Sequence, residues 1–128
     1  MVNARLPQGH RVNAIIPPLA IDGPTVTIRK FRSHAFSLSE MRKLGSFDEQ
    51  IEQFLEWAVL RRCNIAVSGG TGSGKTTLLN ALSAIIPFSE RIVTVEDSAE
   101  LRFHEHPHVV RLEARPQSAE GVGEVTIR

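Results

Sequence analysis

The run "SGGTGSGKTTLLNAL", Ser68 to Leu82, limits what this chain can fold into more than any other stretch. Glycines at 69, 70, 72 and 74 separate the apolar "NIAV" from a leucine-rich segment, and Gly69, Gly74, Lys75 and Thr76 fall at the GxxxxGK[ST] spacing. Glycine backbones enter conformations closed to other residues and put no side chain between their amides and a ligand. Successive N–H groups of Gly69, Gly70, Thr71, Gly72, Ser73 and Gly74 can therefore turn inward around a phosphate. A helix opening at Lys75 adds its unpaired N-terminal amides and the positive end of its dipole. Lys75 is expected to reach the β- and γ-phosphates of ATP, and the Thr76 hydroxyl to ligate Mg²⁺. Thr77 completes the set, although ordinary helix is the plainer reading of it.

The flanking segments give the motif its context. "NIAVSGG" reads as a short apolar strand ending in glycines, "KTTLLNALSAII" as a helix stopped before Pro87, and "RIVTVED" as a strand rich in β-branched residues. Strand, glycine loop, helix, strand is the order of a βαβ unit in a parallel sheet. The expected class is α/β.

Upstream the texture changes. From Arg5 to Arg32 short apolar runs alternate with the turns "IPP" and "IDGP", the mark of short antiparallel strands. "SLSE" at Ser37 and "SFDE" at Ser46 both carry capping-box spacing, the second the more convincing because an apolar stripe follows it. Ile51, Phe54, Leu55, Ala58 and Val59 recur at helical intervals and predict a helix from about Asp48 to Arg62. Arg61 and Arg62 suit its C-terminus, and Trp57 beside the stripe reads as packing or a subunit contact.

Charge and cysteine content exclude several classes. Fifteen Lys plus Arg against fourteen Asp plus Glu leave +1 over 128 residues, too little to draw nucleic acid or an anionic membrane by bulk field. Cys63 is the lone cysteine, forms no internal disulfide and reads as a buried small hydrophobe. No apolar run approaches the ~18 residues of a membrane span, so a cytoplasmic location is expected.

"VEDSAE" sets Glu96, Asp97 and Glu100 at the end of the strand expected beside the phosphate strand. In open α/β sheets ligands lie at the carboxyl ends of the strands, so one of these carboxylates can orient an attacking water. A helix cap or solvated surface is the plainer reading of the same residues. "HEHPH" projects His104, His106 and His108 to one side of an extended segment, as zinc binding would require, but Pro107 interrupts it and a fourth ligand is missing.

The runs "GHRVNAIIPPLAIDGPTVTIRKF", "NIAVSGGTGSGKTTLLNALSAIIP", "ERIVTVEDSAEL" and "PHVVRLEARP" together resemble the type II/type IV secretion ATPase superfamily, most of all its CpaF-like branch that powers Flp/Tad pilus assembly. The resemblance implies a PAS-like β-rich N-terminal domain, represented by residues 1–36, then linking helices at 37–63, and a partial RecA-like phosphate-loop domain at 64–128. It implies a homo-hexamer driven by ATP and Mg²⁺ that works with secretion or pilus platform proteins at the inner membrane, with no specific nucleic acid. "TVEDSAE" corresponds to the family's Asp box, which makes Glu96 the first and Glu100 the second candidate for positioning water. Arg11 in "HRVN" and Arg29 in "TIRK" match arginines that in relatives reach the nucleotide phosphates. The family pattern continues into a Walker B strand and a His box, neither of which precedes Arg128, so the chain is expected to be an internal piece with little ATPase activity alone. The alternatives are a conjugation-type secretion ATPase, a noncatalytic nucleotide-binding fragment, and a different phosphate-loop enzyme such as a small-molecule kinase, which would lack the "TVEDSAE" block.

Overall fold

The computed structural model describes residues 1–30, 35–103, 105–115, 117 and 123–127. The chain divides into two compact units, Met1–His34 and Ala35–Arg128.

The first unit is an antiparallel meander of β1 (Val2–Arg5), β2 (Arg11–Ile15) and β3 (Thr25–Arg29) in the order β1-β2-β3. The β1–β2 turn closes when Leu6 N–H donates to His10 O at 2.9 Å and Gly9 N–H to Leu6 O at 2.7 Å. Strand alternation then sorts the side chains. Val2, Ala14 and Val26 share a face with Ala4, Val12 and Ile28, while Asn3, Asn13 and Thr27 share the opposite face with Arg5, Arg11 and Arg29.

The second unit contains α1 (Leu38–Lys43), α2 (Glu49–Leu60), α3 (Lys75–Ser83), β4 (Ile92–Glu96) and β5 (Val109–Glu113). Its core centres on Leu38, Ala81 and Leu82, with Met41, Phe47, Leu55, Val59, Leu78 and Ile85 packed around them. The two capping signals come out in reverse order of strength. At "SLSE", Ser37 Oγ accepts Glu40 N–H at 3.1 Å and Glu40 Oε2 accepts Ser37 N–H at 2.8 Å, a complete capping box. At "SFDE" the cap is Asp48, whose Oδ1 accepts Ile51 N–H at 2.9 Å. Starting α2 there leaves Phe47 outside the helix and free to pack on the core.

The buried side of α2 is also rotated from the expected stripe. Glu52 and Ala58 are buried, and Leu55 and Val59 pack on the core, whereas Ile51 and Phe54 are exposed. The physical reason is the Arg42–Glu52 ion pair, which turns the Glu52 side towards α1. Phe54 instead stacks on Trp57 with centroids 6.1 Å apart. The helix ends in a Schellman motif: Cys63 N–H donates to Ala58 O and Arg62 N–H to Val59 O, both at 2.9 Å, with Arg62 at φ +56°. That turn carries Cys63 to the surface, against the expectation of a buried thiol.

The sheet differs from the expected βαβ order. β4 pairs in parallel with β5, from Ile92↔Val109 to Glu96↔Glu113, and residues 63–70 belong to no strand. A strand exists only through its partner's hydrogen bonds, and β4 gives its described ladder to β5. Val93 and Val95 of β4 stay about half exposed beside an apolar groove of about 640 Å³ that Cys63, Ile65, Leu79 and Ile86 also line. Helix α3 stops at Ser83, and its last turn tightens through Ile85 N–H to Leu82 O at 3.2 Å and Ile86 N–H to Ser83 O at 3.3 Å. Among the described residues no helix is long and apolar enough to cross a membrane.

Candidate functional site

The glycine loop delivers its last residue as the N-cap of α3. Gly74 takes φ +90° and Gly72 φ +78°, left-handed values that strain any residue with a Cβ, and a Cβ built at either would meet nothing within 4 Å. The space in front of the backbone is thus open where a phosphate would sit. Among the described residues no side chain caps α3, and its first turn carries no acidic residue, so the positive end of the helix is not neutralised from within. Lys75 folds back across the loop, donating from Nζ to Gly69 O at 2.9 Å and Gly70 O at 2.5 Å. The Lys75 ammonium is thus held by two carbonyls of the glycine loop, and within that loop Ser73 N–H donates to Gly70 O at 3.3 Å. Thr71 and Ser73 lie in the loop, and Thr76 and Thr77 in the first turn of the helix.

The acidic segment meets that turn directly. Thr76 Oγ1 donates to Glu100 Oε2 at 3.3 Å. Glu96, at the end of β4, accepts Glu100 N–H at 2.7 Å and Leu101 N–H at 3.0 Å on one oxygen, Oε2. Its other oxygen, Oε1, is buried without a partner among the described residues. Glu113, across the ladder from Glu96, accepts Ala99 N–H at 3.0 Å and Ser98 Oγ–H at 3.3 Å, and Asn80 Oδ1 on α3 accepts Arg102 N–H at 2.8 Å. Asn80 and Glu113 were missed at the level of sequence. The signal for Glu113 was available, because "IVTVE" and "VVRLE" both end in glutamate and pair in register.

These oxygens fit Mg²⁺. The ion prefers hard oxygen donors, few from protein, and neighbouring ligands of its octahedron stand about 2.9 Å apart. The Thr76 and Glu100 oxygens, 3.3 Å apart, come within a small adjustment of that spacing.

The two expected arginines lie in the other unit. Arg11 and Arg29 pair across β2 and β3, and Arg5 pairs with Arg11 on the opposite side, so one rung carries three cations. Arg11 and Arg29, with Asn3, Asn13 and Thr27, line a groove of about 260 Å³. Asn13 Nδ2 donates to Asn3 Oδ1 at 2.8 Å and fixes the next rung. Of the three histidines of "HEHPH", His104 lies outside the described residues. His106 Nε2 is 3.1 Å from Pro87 O and its ring meets Phe88 edge-on, and no group of three metal-ligating side chains occurs among the described residues.

A family model for type II/IV secretion system proteins matches residues 1–127. An uncharacterized protein of Methanocaldococcus jannaschii is 41% identical over 121 residues, covering 91% of this chain and 17% of that protein. The type IV secretion system protein VirB11 of Bartonella quintana is 37% identical over 79% of this chain and 38% of its own length. Conjugal transfer protein TrbB of Rhizobium radiobacter is 38% identical over 80% of this chain and 32% of its own. Among solved structures, that of the VirB11 ATPase from the Brucella suis type IV secretion system in complex with sulphate aligns at 33% identity and a TM-score of 0.48, over 88% of this chain and 42% of that one. The chain therefore spans well under half the length of these relatives. With the match running from the N-terminal meander through the glycine loop to the end of the second unit, the chain belongs to the type II/IV secretion system protein family.

Proposed function

We propose that this chain is the nucleotide-binding part of a secretion motor that binds and hydrolyses ATP. The observation that carries the reading is the convergence at the start of α3: an uncapped helix end, Lys75 across the glycine loop, and Thr76 bonded to Glu100. In this reading α3, β4 and β5 belong to a RecA-like phosphate-loop core, and the N-terminal meander to a PAS-like domain. The loop amides and Lys75 bind the β- and γ-phosphates, and Thr76 and Glu100 hold Mg²⁺. Magnesium, when bound, draws negative charge from the phosphate oxygens. Glu100 orients the attacking water, and Glu96 holds the turn that carries Glu100 through its two accepted amides. Arg11 and Arg29 offer a second group of cations for phosphate oxygens.

The whole motor is proposed to be a homo-hexamer docked on platform proteins at the cytoplasmic face of the inner membrane, of the CpaF-like type that assembles Flp pili. The resemblance to TrbB supports a second reading, a conjugation motor. In either case the 128-residue chain is expected to bind nucleotide and turn it over slowly. Isothermal titration with ATP and Mg²⁺, paired with a phosphate-release assay, tests this. Binding with slow release agrees, while phosphate transfer to an acceptor other than water, or no binding, contradicts it.

A further inference from the structure

The segment between β4 and β5 is held in an unusual way. Four successive backbone amides, those of Ala99, Glu100, Leu101 and Arg102, all donate to side chains rather than to a backbone ladder. Their acceptors stand on three elements: Glu113 at the end of β5, Glu96 at the end of β4, and Asn80 in the middle of α3. We infer that Glu113 and Asn80 are positioning residues that fix, through this backbone, where the Glu100 carboxylate stands beside Thr76. The inference rests on the reading of that place as a nucleotide and magnesium site.

Two features of the geometry support it. Asn80 follows Thr76 by one helical turn, and residues four apart share a helix face. Helix α3 thus grips the segment at two neighbouring points, with Thr76 on the Glu100 side chain and Asn80 on the Arg102 amide. Glu113 fixes the opposite end of the same stretch, and it stands directly across the ladder from Glu96. Like charges facing each other across a sheet destabilise it. Accepting amide N–H groups offsets that repulsion, since a carboxylate is a strong acceptor for them. The two glutamates are thus side by side because each is bonded to the segment between their strands. Ala99, which donates to Glu113, is buried while Glu113 itself is exposed, so that bond is partly shielded from competing water.

Residues that orient a metal ligand usually change affinity about 10–100-fold when removed. Glu113→Ala should therefore raise the Mg²⁺ concentration needed for half-maximal binding of a fluorescent ATP analogue by on the order of 10-fold. Affinity for the analogue in EDTA should stay unchanged, because the loop amides and Lys75 are untouched. Glu113→Gln keeps an acceptor oxygen and should restore the wild-type magnesium response. Asn80→Ala should reproduce the loss. Hydrogen exchange on the same four proteins should show the 99–102 amides exchanging faster in both alanine variants and not in the glutamine variant. A wild-type magnesium response in Glu113→Ala, or a glutamine variant that behaves like the alanine one, overturns the inference. If Glu113→Ala loses protection throughout α2 and α3, the Asn80→Ala result decides alone. A wild-type chain that binds the analogue with no magnesium dependence refutes instead the reading of Thr76 and Glu100 as a magnesium site.

Discussion

Replacing Gly74 with alanine should separate the demands of the loop on folding from its demands on ligand binding. Gly74 sits at φ +90° as the N-cap of α3. A residue with a Cβ in the left-handed region costs roughly 1–2 kcal/mol. The added methyl would meet no atom within 4 Å, so steric relief or clash contributes nothing and the conformational term stands alone. For a unit of this size a 1 kcal/mol loss lowers the melting temperature by about 4–8 °C. The expected fall for Gly74→Ala is therefore about 4–16 °C by far-ultraviolet circular dichroism. Gly70 is the internal control. Its φ is not positive, and a Cβ there also meets nothing within 4 Å, so Gly70→Ala should melt within about 2 °C of wild type. On the proposed reading of the loop as a phosphate site, both methyls add bulk to it, and both should weaken binding of an ATP analogue. Equal melting temperatures for Gly74→Ala and Gly70→Ala would refute the claim that the left-handed backbone, rather than the bare surface, is what folding needs at position 74.

Three further outcomes follow from single contacts. Ser37→Ala removes the complete capping box and should cost about 1 kcal/mol in urea unfolding, whereas Ser46→Ala should stay within about 0.5 kcal/mol because Asp48 is the cap. Arg29→Met takes one of three like charges from the β1-β2-β3 rung and should stabilise the meander by a few tenths of a kcal/mol at low salt. The gain should fade at high salt as screening replaces it, and a loss that salt does not alter would contradict the repulsion account. Cys63 should react with a thiol reagent under native conditions at nearly the rate of the unfolded chain, and protection would mean that the Schellman turn does not hold it outward.

The glycine loop and α3 were legible because their backbone signals are local. The Gly–Lys–Thr spacing and the helical run after it specify a loop entering a helix whatever lies nearby. β2 and β3 were legible for a similar reason, being separated by turn residues, whereas β1 precedes the stretch read as strands. What could not be read depends on partners distant in the chain. The rotation of α2 follows from the pairing of Glu52 with Arg42, an ion pair that periodicity treats as an accident on the polar side. The pairing of β4 with β5, rather than with the segment before the glycine loop, is a matter of register, and short apolar runs carry little register information. At the candidate site, Thr76, Glu96 and Glu100 were named from the sequence, but the contacts among them were not. Which glutamate meets Thr76 and which holds the turn depends on the path of residues 97–102, which is set by Asn80 and Glu113 from other elements.

The central claim is that the amides of the glycine loop and Lys75 bind the phosphate tail of a nucleoside triphosphate. Its most direct test is calorimetric titration of the chain and of Lys75→Ala with a nonhydrolysable ATP analogue in the presence of Mg²⁺. The expected result is saturable one-to-one binding by the wild type and at least a ~10-fold loss in the variant, about 1.4 kcal/mol, as befits a charge-assisted contact. Equal affinities for the two proteins, or heat from neither, would contradict the claim.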